Sequence, residues 1–155
     1  MIDFHTLLGP ACTWVLPEAT SKKRLLEAAA ERIAATHEGV DSRSLFDHLM
    51  ARERLGSTGL GDGVAIPHCR LEGRAEPIGA MIKLDKGLEF DAPDGQPVTL
   101  VFVLVAPAEG HDVHLKLLAK LAATLGQESY RAELRACSTD KALYSRIHSL
   151  LEASP

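Results

Sequence analysis

The sequence predicts an α/β fold: a three-layer sandwich in which helices flank a small mixed β-sheet. Three observations point to it. Amphipathic helical segments open the chain, strongly apolar strand-like runs at 78–84 and 98–105 fill its middle, and the last third returns to helical spacing. The first helix has a cap in Ser21, and Leu25, Leu26, Ala29, Ile33 and Ala34 follow at helical intervals until Gly39 stops it. A second helix starts near Asp41 and Ser42. Leu45, Phe46, Leu49 and Met50 form its apolar face, Arg52 and Arg54 sit where cations suit the helix end, and Gly56 closes it.

The character then changes. Residues 56–63 hold four glycines. Val64, Ala65 and Ile66 read as a short buried strand cut off by Pro67. The run at 98–105 is almost wholly apolar, so it is expected at the sheet centre, covered on both faces. Asp94-Gly95 signals a turn, with room for a short strand at 88–90. From His111, Leu115, Leu118, Ala119, Ala122 and Leu125 mark a buried helical face, and two shorter helices are expected at 128–136 and 140–151.

One domain over residues 1–155 is the simplest organisation, since no repeat, linker or low-complexity stretch interrupts the chain. A net charge of −4 argues against a nucleic-acid backbone as partner, because phosphate binding wants a basic face. No apolar run is long enough for a bilayer span, so stable membrane insertion is not expected, and no signal peptide is visible. Cys12, Cys69 and Cys137 are too widely spaced for a disulfide framework or a CxxC pair. They read as reduced thiols of a cytoplasmic protein.

Seven histidines could carry chemistry. His5, His37, His48, His111 and His148 lie in polar, terminal or helix-surface contexts and read as surface residues. His68 is different. Pro67 fixes its own φ and restricts Ile66, so the backbone leading to His68 is stiff and the imidazole is aimed in advance. The glycine-rich loop allows backbone N–H groups to approach an anion, Ser57 and Thr58 add hydroxyls, and Arg52 and Arg70 add guanidinium groups suited to phosphate oxygens. These parts describe a phosphate site built around a histidine. On spacing alone, a glycine-rich turn with an exposed histidine fits equally well. His114, one turn into the helix after the central strand, is the natural second member, where free N–H donors favour an anion.

Two rivals use the same residues. A metal site would draw on His68, Cys69, His111 and His114, but the side chains of His68 and Cys69 diverge on an extended segment, and no HExxH pattern is present. A Cys69 thiol with His114 as its base would leave the glycine loop and the arginines unexplained.

The stretch Arg52-Glu53-Arg54-Leu55-Gly56-Ser57-Thr58-Gly59-Leu60-Gly61-Asp62-Gly63-Val64-Ala65-Ile66-Pro67-His68 resembles the signature of the mannitol/fructose-type (type-2) EIIA domain of the bacterial phosphotransferase system. The Gly-Ser-Thr-Gly-x-Gly form and the Ser21-Lys22-Lys23-Arg24 opening of the first helix are most similar to its nitrogen-regulatory branch. The likeness extends through Val103 to Pro107, His114 and Leu115, and covers nearly the whole chain. It implies an α/β sandwich with His68 as phosphoryl acceptor through Nε2, and with His114 and Arg52 in support. The phosphate-site loop would be Gly56, Ser57, Thr58 and Gly59, with no individual role carried to Ser57 or Thr58. The donor it implies is an HPr-like phosphocarrier of the NPr type, docking transiently over His68. No metal and no cofactor are implied. Phosphorylation would act as a signal read by regulatory target proteins, or the phosphoryl group would pass to an EIIB domain for sugar transport. A non-enzymatic anion- or partner-binding domain of the same fold is a third reading, and the presence of both His68 and His114 counts against it.

Overall fold

The computed structural model describes residues 3–154. Its elements are, in order, α1 (Phe4–Leu7), a 3₁₀ turn (Pro10–Cys12), β1 (Thr13–Leu16), α2 (Lys22–Thr36), α3 (Ser42–Leu55), β2 (Gly59–Gly61), β3 (Val64–Ala65), β4 (His68–Leu71), β5 (Ile78–Leu88), β6 (Val98–Pro107), α4 (His111–Leu125), α5 (Glu128–Arg135) and α6 (Asp140–Ala153). The sheet is mixed and runs β1-β5-β6-β3-β2, with β4 also on β6. Helices α2 and α3 pack on each other and reach the sheet at β5 and β4, while α4, α5 and α6 pack together against β6, β5 and β1. This is the α/β sandwich that the alternation of helical and strand patterns predicts.

Local chemistry accounts for the boundaries. The Ser21 hydroxyl accepts from Arg24 N at 3.1 Å, the Asp41 carboxylate from Ser44 N at 2.8 Å, and the Thr139 hydroxyl from Ala142 N at 3.1 Å. Each satisfies an N–H that a helix start would otherwise leave open. β6 is central as expected: all its residues but Thr99 are buried, because strands lie on both its edges and helices cover it.

Its second edge matters most for function. β3 pairs with the start of β6 (Val64 with Leu100) and β4 with its end (His68 with Leu104), both parallel. Between them lie Ile66 and Pro67, and Pro67 has no N–H for the ladder. Its carbonyl still accepts from Leu104 N at 2.9 Å, so the chain stays against β6 and keeps its register across the break. His68 therefore opens a second strand rather than trailing the first.

Three further features differ from the sequence reading. β1 joins the sheet edge beside β5 although no strand is evident there from the sequence, since Thr13 to Leu16 is only four residues long. No separate strand forms at 88–90: Leu88 is the last residue of β5, reached across a register shift after Lys83, and 89–90 lie beyond it. His148, read as a surface residue from its polar neighbours, is 4% exposed. Its Nε2–H donates to Leu8 O at 2.8 Å, and its ring stacks on His5 at 4.3 Å. The fold of α1 onto α6 buries it, and helix periodicity alone does not register that contact.

Gly79 marks a close approach inside the core. A Cβ there would lie 2.9 Å from two Phe102 ring carbons and 3.3 Å from Leu7 Cγ. Gly79→Ala is expected to destabilise the fold by about 1–3 kcal/mol through forced repacking. Urea unfolding checks this, with a lower midpoint at unchanged slope as the expected result.

Candidate functional site

α3 delivers two side chains with different tasks. Arg52 Nη1–H donates to Gly56 O at 2.9 Å, so the carbonyl that ends the helix also holds the guanidinium. Glu53, 7% exposed, turns inward. Its carboxylate accepts from Lys22 Nζ at 3.0 Å, from Thr58 N at 3.3 Å and from the Thr58 hydroxyl. Lys22 also lies 3.7 Å from Asp91 and 4.9 Å from the centre of the Phe90 ring. The Ser57 hydroxyl donates to Phe90 O at 2.6 Å and accepts from Gly59 N at 3.0 Å. Both loop hydroxyls are thus spent within the protein. The Ser57 and Thr58 hydroxyl protons, expected from sequence to face an anion, are instead directed to Phe90 O and the Glu53 carboxylate, and Gly56 holds Arg52 through its carbonyl.

His68 stands beyond the Ile66-Pro67 break. Its Nδ1–H donates to Ile66 O at 2.7 Å. A carbonyl can only accept, so this bond places the proton on Nδ1 and leaves the lone pair of the neutral ring on Nε2. Burial lowers the His68 pKa below 6.5, outweighing the Ile66 carbonyl, which raises it. Arg52 lowers it further, and Glu53 acts weakly the other way. His68 is neutral at pH 7.

The His114 ring faces it, 5.4 Å away centre to centre and tilted by 55°. His114 is 7% exposed, and its Nδ1 is buried without a hydrogen-bond partner. Burial, then the charges of His68, Arg70 and His111, push its pKa down to about 4. His114 is therefore also neutral at pH 7 and is not a resident cation.

Arg52, His68 and His114 line one open cleft of about 1040 Å³, with Leu55 and Leu115 exposed at its rim. His111, read from sequence as a surface histidine, is exposed but lines the same cleft, where its Nδ1 accepts from Arg70 Nη1 at 3.1 Å. Its i, i+3 relation to His114 is the sequence signal that places both on one helix face. Cys69 is buried and its thiol is pushed up to about 12, so it stays protonated at neutral pH and is no nucleophile. Among the described residues, no three His, Cys, Asp or Glu side chains converge as metal ligands.

A neutral imidazole with a fixed tautomer, an open lone pair and a neighbouring guanidinium is equipped to attack an electrophilic, anionic centre. Comparison with known proteins gives the family. The family described as "Phosphoenolpyruvate-dependent sugar phosphotransferase system, EIIA 2" matches residues 6–149. The chain belongs to this EIIA family. It is 45% identical over 147 residues to a nitrogen regulatory protein of Pseudomonas aeruginosa, covering 95% of this chain and 96% of that one. The crystal structure of the nitrogen regulatory protein IIA-Ntr from Neisseria meningitidis superposes with a TM-score of 0.85 at 40% identity, covering 96% of this chain and 98% of that one. A fructose-specific EIIA component of Haloferax volcanii is more distant, 32% identical over 73% of this chain and 74% of that one. No helix among the described residues of this EIIA protein is long and apolar enough to cross a membrane.

Both histidine pKa values lie below the unfolded value of 6.5. The unfolded chain then binds protons more readily, so the stability these groups contribute is present above about pH 6.5 and is lost as pH falls below it, for His114 through about 4. Imidazole ¹⁵N-detected NMR titration is expected to show the Nδ1–H tautomer for His68 and a midpoint near 4 for His114. An Nε2–H tautomer at His68 would contradict the site geometry.

Proposed function

We propose that this EIIA protein accepts a phosphoryl group on His68 Nε2 from a phosphohistidine on an HPr-like carrier of the NPr type, and that its phosphorylation state regulates target proteins. The observation that carries the reading is the Nδ1–H bond to Ile66 O, which aims a free Nε2 lone pair into the cleft shared with Arg52 and His114. The likeness to nitrogen regulatory proteins supports the regulatory role.

In the step itself, the Nε2 lone pair attacks phosphorus in line. The carrier's P–N bond breaks, and its electron pair returns to the carrier's ring nitrogen. The Nδ1 proton stays on His68, held by Ile66 O, so the phosphorylated ring carries positive charge and remains a good leaving group for onward transfer. Charge on the equatorial oxygens is met by Arg52 and by an N–H of neutral His114. A phosphoryl dianion beside His114 raises that ring's affinity for a proton, offsetting the burial that lowers it at rest. The exposed Leu55 and Leu115 at the cleft form an apolar fringe suited to brief docking of the carrier, which has to leave after transfer.

Incubation with phosphoenolpyruvate, the general EI enzyme and the carrier, followed by intact-mass measurement, tests this. His68→Ala is expected to abolish labelling, while His114→Ala and Arg52→Ala still label but about 10²–10³ more slowly. The bond formed is expected to be acid-labile and base-stable, as a phosphoramidate is. Wild-type labelling of His68→Ala would overturn the assignment. Rapid passage of the label to an EIIB domain would favour the transport role, to which the fructose-specific relative points.

A further inference from the structure

β4 and α4 face each other across the cleft in two rungs. Residues two apart on a strand share a face, so Arg70 stands on the same side of β4 as His68. Residues three apart on a helix share a face, so His111 stands one turn before His114. The first rung is the pair of rings His68 and His114, 5.4 Å apart, and the second is Arg70 Nη1–H donating to His111 Nδ1 at 3.1 Å. All four side chains line the same cleft. Among the described residues, no carboxylate forms an ion pair with Arg70. The bond to His111 uses one of its five N–H groups, which leaves donors in a fixed fork for an anion. The pairing of Arg70 with Ala106 of the central strand anchors its backbone.

We propose that Arg70 binds the phosphoryl oxygens of the group carried by His68, and that His111 is its positioning residue, orienting the guanidinium through Nδ1 as Ile66 O orients His68. The inference rests on His68 as the acceptor. Arg52 approaches that position from the end of α3 and Arg70 from β4, so the anion is held from two elements. Arg70 forms no bond to phosphorus. It donates N–H groups to oxygens that gain charge as the new P–N bond forms.

The test uses potassium phosphoramidate as a small phosphoryl donor, so that no protein partner enters the measurement. Labelling rates come from intact mass, and the ³¹P shift of phosphorylated His68 reports its surroundings. Arg70→Ala is expected to slow labelling roughly 10- to 100-fold, the loss of one charge-assisted contact, and to move the ³¹P signal. Arg70→Lys is expected to recover part of the rate, because charge returns without the fork. His111→Ala is expected to slow labelling by less, His111→Gln to restore it through an amide oxygen acceptor, and His111→Ala to add nothing in the Arg70→Ala background. Independent, multiplicative effects of the two substitutions would overturn the positioning role. Unchanged rate and ³¹P shift in Arg70→Ala, with wild type labelled on His68, would overturn the phosphoryl contact alone. Failure of wild type to label from either phosphoramidate or the carrier would overturn the acceptor reading itself.

Discussion

Pro67 has no N–H to give to the ladder beside β6, and the strand there is cut into β3 and β4 at that point. The consequences reach the whole cleft. Ile66 O receives Nδ1–H of His68 at 2.7 Å, while Pro67 O still holds Leu104 N at 2.9 Å. The ladder is interrupted, yet the chain keeps its register and stays pinned to the buried central strand. An imidazole so held has lost most of its orientational freedom before any substrate arrives, and that entropy is not charged to the reaction. Everything else in the cleft is arranged around the direction in which this one ring points.

The second constraint is the buried carboxylate of Glu53. Removing a carboxylate from water is costly unless it is paired and hydrogen-bonded, and Glu53 meets both conditions through Lys22 and Thr58. The interaction joins the first turn of α2, the last turn of α3 and the loop into β2. The loop is thereby held against α3, and Gly56 O is placed to hold Arg52. A chain with the same glycines but no Glu53 would lose the tie between these three segments.

Two neutral imidazoles beside guanidiniums that, among the described residues, form no ion pair with a carboxylate make an uneven electrostatic field. Burial and the neighbouring cations act in the same direction, lowering the pKa of both His68 and His114. The resting site therefore has positive charge on its arginines and lone pairs on its histidines. On the proposed reading, such a site attracts an anion and attacks it without prior deprotonation. The same field would hinder a site that worked by imidazolium acid catalysis.

Much of this was legible in the sequence, for reasons that differ by residue. Local patterns decide local structure: Ser21, Asp41 and the apolar spacing behind them specify α2 and α3, and the apolar run at 98–105 specifies a central strand because nothing else could cover it. His68 was legible because Pro67 precedes it and the glycine loop leads into it. Contacts between distant segments were not. Neither the four residues of β1 nor the burial of His148 under α1 leaves a periodic trace, since both depend on which surfaces meet. Ser57 and Thr58 are polar residues in a glycine-rich loop, and only the position of Phe90 and Glu53 in space turns their hydroxyls inward. His111 and Arg70 are 41 residues apart, and their bond exists because parallel pairing of β4 with β6 sets the start of α4 against the face that Arg70 shares with His68.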